Sequence, residues 1–165
     1  MRPARHATRK RGRDPAPEGC HLLLVGPDEE GRERELLALS ELVKDRVHRM
    51  DFTHHPEHVL SAADVICLPS YREGFGSVLI EASAVGLPAI ASKIYGITDA
   101  GEEGVTYLLH EPGSVSELTD AMQLLADNTE LRHNMGIAAR KRASARFSEQ
   151  QVTGAMVHLY QGLTA

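Results

Sequence analysis

From Cys20 onward the sequence alternates short apolar runs with segments of helical spacing, and this alternation constrains the fold more than any other feature. His21-Leu22-Leu23-Leu24-Val25 reads as a buried strand stopped by Gly26-Pro27. Glu29 to Val43 carries Leu36, Leu37, Leu39, Leu42 and Val43 at helical spacing. Val47 to Phe52 alternates and predicts a second strand, and Pro56 to Ala63 a short helix with proline in its first turn. Asp64 to Leu68 is a third strand, ended by Pro69-Ser70. A helix over Ser77 to Val85 stops at Gly86 with Pro88 beyond. Strands over Pro88 to Ser92 and Val105 to Leu109 follow, then helices over Val115 to Ala126, Glu130 to Arg146 and Glu149 to Leu163. Strands separated by helices of this length need crossovers. The expected class is therefore α/β, a Rossmann-like parallel sheet flanked by helices on both faces.

Ligands of such sheets bind beyond the carboxyl ends of the strands. The loops to read are then Gly26–Glu30, Thr53–His55, Pro69–Gly76 and Lys93–Asp99. The richest is Pro69-Ser70-Tyr71-Arg72-Glu73-Gly74-Phe75-Gly76-Ser77, which leaves a strand and enters a helix at Gly76 or Ser77. A helix start offers unpaired N–H groups and the positive end of its dipole. Two glycines let backbone approach a ligand closely. Together these suit a phosphate. Glu73 stands before the turn and is placed to accept hydrogen bonds from ligand hydroxyls. Glu81 lies one turn into an otherwise apolar helix, where a charge is expected to need a partner. A pair of ribose hydroxyls would supply two donors. Ser70 either closes a turn after Pro69 or touches ligand. Read alone, Glu81 could be a surface helix residue; with Glu73 in register and the loop between them, the ligand role is favoured.

Glu-x7-Glu spanning a Gly-x-Gly loop resembles the signature of the retaining GT-B glycosyltransferases. From about Cys20 to Tyr160 the chain resembles the C-terminal, donor-binding lobe of family 4, the glycosyl transferases group 1. The resemblance rests on Leu22-Leu23-Leu24-Val25-Gly26, Ala63-Asp64-Val65, Leu68-Pro69-Ser70, Glu73-Gly74-Phe75-Gly76 and Glu81-Ala82. It continues through Gly86-Leu87-Pro88, Gly96-Ile97-Thr98-Asp99, Met135-Gly136 and Arg146-Phe147-Ser148. Ser92 to Asp99 is similar to the subgroup that builds bacterial capsule, exopolysaccharide and O-antigen units.

The resemblance implies the C-terminal half of a GT-B fold and a nucleotide-diphospho-sugar donor, with UDP the expected nucleotide. Glu73 would hold hydroxyls of the transferred sugar and is the implied catalytic residue. Glu81 would hold the ribose. The N–H groups of Gly74, Phe75, Gly76 and Ser77 would face sugar and diphosphate, with Ser70 beside them and Thr53 and His54 near the base. The implied reaction moves the sugar to a glycan or lipid-linked acceptor with no metal and no further cofactor. The family's donor lobe begins with a strand ending in Gly-Arg and then a lysine, which Met1 to Gly19 does not match. The acceptor-binding N-terminal lobe is absent as well. The chain is thus expected to be incomplete for catalysis alone, since a two-substrate reaction needs both partners held together. Tyr107 stands where the family usually has glycine. The rival reading is a non-catalytic module that binds a nucleotide or phosphosugar and acts with a partner subunit.

Charge and length narrow the remaining classes. At 165 residues the chain suits one domain. Residues 1–13 hold six Arg or Lys and no acid, whereas residues 14–165 hold 12 basic and 23 acidic side chains, a balance of −11. An acidic body without tryptophan does not resemble a nucleic-acid reader, and no nucleic-acid partner is expected. Residues 1–19 are expected to be a basic, disordered or non-native segment that could touch anionic lipid, and 20–165 the nucleotide-sugar-binding domain. No run of 18 apolar residues is present. Two cysteines make no disulfide framework, which suits a reduced cytoplasmic setting, with peripheral contact at the inner membrane face. An incomplete sheet would expose apolar surface, so either self-association or a folding-back of residues 1–19 over it is expected. Cys67 reads as a packed core thiol. His54, His55 and His58 are read as lacking a cysteine or carboxylate set at ligand spacing, so no metal is expected. Arg132, Arg140, Lys141 and Arg142 are read as a solvated helix face.

Overall fold

The computed structural model describes residues 19–28, 31 and 44–163. It contains β1 (Leu22–Val25), a short 3-10 turn (Lys44–Arg46), β2 (Val47–Met50), α1 (Pro56–Ser61), β3 (Ile66–Leu68) and α2 (Ser77–Ala84). Then follow β4 (Ala89–Ser92), β5 (Tyr107–His110), α3 (Val115–Asp127), α4 (Thr129–Arg146) and α5 (Glu149–Leu163). Apart from Gly31, the expected helix over Glu29 to Val43 lies outside the described residues, as do residues 1–18 of the N-terminal segment.

All strand pairs are parallel, as the alternation dictates. Among the described residues they form two sheets rather than one: β1 with β2, and β3-β4-β5 in that order. In the larger sheet Ile66 pairs with Ala89, which pairs in turn with Tyr107, and Cys67 pairs with Ile90, which pairs with Leu108. Because successive side chains point to opposite faces, this register sorts the core into two layers. Ile66, Leu68, Ala89, Ala91, Tyr107 and Leu109 pack with Leu79 of α2 and with Ile97 and Ala100 of the loop after β4. Cys67, Ile90 and Leu108 pack on the other side with Leu118 and Leu125 of α3 and Leu131 and Met135 of α4. Every residue of β4 is buried, as a strand covered on both faces requires.

Helix α2 ends as its sequence demands. Gly86 adopts φ +83°, the N–H of Leu87 donates to the Ala82 carbonyl and that of Gly86 to Ser83. This pair of bonds is a Schellman cap, and glycine enters its left-handed position without steric cost. Helix α4 crosses the same end at close range: a Cβ on Gly136 would stand 2.2 Å from the Gly86 carbonyl oxygen. Two glycines thus set how closely α2 and α4 approach at this end of α2.

The β1 reading needs correction. Leu22, Leu23 and Val25 are 42–45% exposed, not buried. No ladder joins β1–β2 to the larger sheet among the described residues. Helix α5 is exposed along its full described length, with Val152, Met156, Leu159 and Leu163 at helical spacing.

Candidate functional site

The loop between β3 and α2 is built around a short hydrogen bond. The buried Ser70 hydroxyl donates to Glu73 Oε1 at 2.7 Å and aims a half-buried carboxylate. The chain then turns through Gly76, which sits at the N-cap of α2 with φ +60° and ψ +40°. Gly76 has no side chain to bond the first-turn N–H groups, and none caps this helix. Ser114 of α3 and Asn128 of α4 do cap theirs, accepting from Glu117 and Leu131. The α2 start therefore keeps its amide donors and its positive dipole end for something other than a protein side chain.

A second loop fixes the first. Gly96, at φ +92°, lies so close that a Cβ would stand 2.5 Å from the Glu73 carbonyl oxygen and 2.7 Å from that of Gly74. The Gly96 carbonyl oxygen and Ile97 in turn border Gly76. Tyr107 holds the far side of this loop, its buried phenol donating to the Thr98 carbonyl at 3.0 Å. The tyrosine fits because its ring occupies the space beside Gly101, where a Cβ would stand 2.2 Å away. Burial raises the Tyr107 pKa.

Helix α4 supplies a third brace. Arg142 donates to the carbonyls of Asp99 at 3.1 Å and Gly101 at 3.2 Å. Its guanidinium lies 5.4 Å from the centre of the Phe147 ring. Phe147 meets Phe75 of the Gly-x-Gly loop edge-on at 6.0 Å. Arg142 is thus not part of a solvated face. Arg132 is not either, since it donates to the Leu125 and Ala126 carbonyls at the end of α3. Arg140 and Lys141 are exposed as expected. The reading of four cations as one solvated face failed because carbonyl acceptors up to 43 residues away leave no mark in local spacing.

Of the site residues expected from sequence, the structure brings Ser70, Glu73, Gly74, Phe75, Gly76 and Ser77 into one braced loop. Glu81 lies one turn along α2 and is exposed. Its charge is solvated, so contrary to the expectation from its apolar helix it needs no partner. Thr53 and His54 precede α1, which packs against α2. Thr53 Oγ1 accepts from the His55 N–H at 3.0 Å. The His54 ring meets Phe52 edge-on at 4.9 Å. Glu57, unremarked in the sequence, joins His55 and His58: their donor atoms all lie within 4.8 Å of one another. The histidines therefore do have a carboxylate beside them. Glu57 is held below the usual carboxylate range, first by its own backbone N–H and further by His55.

Known proteins resemble this chain in sequence and in fold. The family described as glycosyl transferases group 1 matches residues 13–142. N-acetyl-alpha-D-glucosaminyl L-malate synthase of Bacillus anthracis is 34% identical over 140 residues, covering 84% of this chain and 36% of that protein. D-inositol 3-phosphate glycosyltransferase of Kribbella flavida is 43% identical over 82 residues, 50% of this chain and 19% of its own. Among solved structures, sucrose-phosphate synthase from Thermosynechococcus elongatus superposes with a TM-score of 0.79 at 32% identity, over 87% of this chain and 38% of that one. HepE of Anabaena, solved in complex with UDP, gives 0.78 at 26% identity, over 87% and 42%. The chain spans well under half the length of each of these relatives. With its parallel α/β architecture and its match over most of its length, the chain belongs to the glycosyl transferases group 1 family.

Proposed function

We propose that this chain is the donor-binding part of a retaining glycosyltransferase. It would take a sugar from a nucleotide-diphospho-sugar, UDP-linked, for transfer to a glycan or lipid-linked acceptor. The observation that carries the reading is the Ser70–Glu73 hydrogen bond set beside the uncapped start of α2. An aimed carboxylate and free amide donors meet there, as a sugar joined to a diphosphate requires. HepE, solved with UDP and with UDP-glucose, supports the nucleotide.

In this reading the N–H groups of Gly74, Phe75, Gly76 and Ser77 receive the diphosphate. Glu73, aimed by Ser70, accepts from sugar hydroxyls. Glu81 accepts from the ribose, and Thr53 and His54 border the base. Transfer breaks the bond between the anomeric carbon and the β-phosphate oxygen and forms one to the acceptor oxygen on the same face. The acceptor proton passes to the leaving phosphate. The protein's main contribution is then to stabilise charge building on the diphosphate with donors already in place. No metal takes part. The acceptor side belongs to a lobe outside residues 20–165, and the whole works in the cytoplasm, peripherally at the inner membrane face.

Titration of the chain with UDP and GDP, followed by amide NMR, tests the reading. Shifts at Gly74–Ser77 and the α2 start, together with Thr53 and His54, support it. No shift at those amides in the millimolar range would sink it. Transfer restored by adding an acceptor lobe would separate the enzyme from a binding module that acts through a partner subunit.

A further inference from the structure

We propose that His55, Glu57 and His58 form a surface site for one divalent transition cation of the Zn2+ class. The three residues offer two imidazole nitrogens and one carboxylate oxygen within 4.8 Å of one another. His55 Nδ1 and Glu57 Oε1 stand 3.2 Å apart as a hydrogen-bonded pair, and an ion between them would take the place of the shared proton. Zinc bonds of about 2.0–2.2 Å set tetrahedral ligand edges of about 3.4 Å, so this pair is at bonding separation for a shared ion. The His58 ring stacks on that of His55 with centroids 5.3 Å apart. To join the pair its donor atom has to move by no more than about 1.4 Å. The side chain is exposed, so rotation about its own torsions supplies that movement.

The backbone beneath the three ligands is fixed before any ion arrives. Thr53 Oγ1 accepts from the His55 N–H, Pro56 locks its own φ, and the His58 N–H donates to the His55 carbonyl at 3.2 Å. Glu57 is anchored by the same turn, with Ser61 donating to its carbonyl. Binding therefore orders side chains but little backbone, which keeps its entropic cost low. Two imidazoles and one carboxylate favour Zn2+, Ni2+ or Cu2+ over Mg2+ or Ca2+, which prefer oxygen alone. Three protein ligands leave a coordination position for water. The ion would clamp the segment that links Thr53 to α1. The site is independent of the donor reading and asks nothing of the transfer reaction.

Titration of the full chain with ZnCl2 at neutral pH, by calorimetry and by imidazole NMR, tests the assignment. The expected result is one ion per chain, with signals of His55 and His58 shifting together and no response to MgCl2. His55→Ala and His58→Ala should each weaken Zn2+ binding by about tenfold or more, and Glu57→Gln by less. His48→Ala should leave binding unchanged; His48 meets His21 at 2.9 Å and is the competing pair. The assignment is overturned if His55 and His58 do not respond to Zn2+ at about 1 mM. It is equally overturned if binding survives His55→Ala and is lost in His48→Ala. Circular dichroism of each variant separates loss of ligand from loss of fold.

Discussion

Gly96 and Glu73 are in backbone contact across two loops, with room for a hydrogen on the Gly96 α-carbon and for nothing larger. The carbonyl oxygen of Glu73 belongs to the residue whose carboxylate Ser70 aims. The position of that carboxylate thus depends on a glycine 23 residues later that no ligand needs to touch.

Gly96→Ala should therefore cost both stability and binding. The added Cβ meets two carbonyl oxygens inside van der Waals contact, and its φ of +92° is strained for any L side chain. A loss of about 1–3 kcal/mol by urea denaturation is expected. Weakened UDP binding beyond that explained by the unfolded fraction should accompany it. Unchanged stability would mean that the two loops can part freely.

Arg142 offers a second test of the same bracing. Two charge-assisted bonds to the Asp99 and Gly101 carbonyls predict a loss of about 1.5–3 kcal/mol in Arg142→Met, which keeps most of the apolar stem. Amide signals of Phe75 should move in that variant, because Arg142 reaches Phe75 through Phe147. A destabilised variant with Phe75 unmoved would confine the role of Arg142 to the Asp99–Gly101 turn.

What the sequence made legible was local. Leu68-Pro69-Ser70 ending a strand and Gly76-Ser77 starting a helix are chemistry within a few residues, and the structure keeps them where that chemistry puts them. Gly86 as a helix stop obeys the same logic. What stayed hidden was long-range. Arg142 looks like any exposed helix cation until Asp99 is beside it, and Tyr107 looks like a misfit until Gly101 makes room. The exposure of Leu22 and Leu23 was illegible for the converse reason: an apolar run reports that burial would be favourable, not what is there to cover it. Glu57 was missed because Pro56 and the helix start fold it back beside His55, a proximity created by the turn.

Glu73 and Glu81 should separate by ligand. Glu81→Ala is expected to weaken UDP binding by about 1.5–3 kcal/mol, the range for hydrogen bonds to a charged group. Glu73→Ala should leave UDP nearly unaffected and weaken UDP-sugar. Ser70→Ala should follow Glu73→Ala with a smaller effect, since it frees the carboxylate without removing it. Calorimetric titration of all three variants with both ligands checks this. Equal losses for UDP and UDP-sugar in both glutamate variants would show that the two carboxylates do not have separate roles.

Alkaline pH should destabilise this chain through Cys67. Burial, with a smaller contribution from Cys20, pushes the Cys67 thiol up from 9.0 to about 11. Between those values the native thiol keeps its proton while the unfolded thiol has released it. The unfolded state then binds fewer protons, so stability falls as pH rises through this window. Two units correspond to at most about 2.7 kcal/mol. Tyr107, raised by burial as well, acts in the same direction at the upper end. Urea midpoints measured from pH 8 to pH 11 should fall, and Cys67→Ala, though less stable at pH 8, should fall less steeply. In the same range iodoacetamide should alkylate Cys67 of the native chain only as the chain unfolds. A Cys67 that reacts at pH 8 as fast as an unfolded thiol, or parallel slopes for the two proteins, would show that the thiol is not held in the apolar layer formed by Ile90, Leu108 and Leu118.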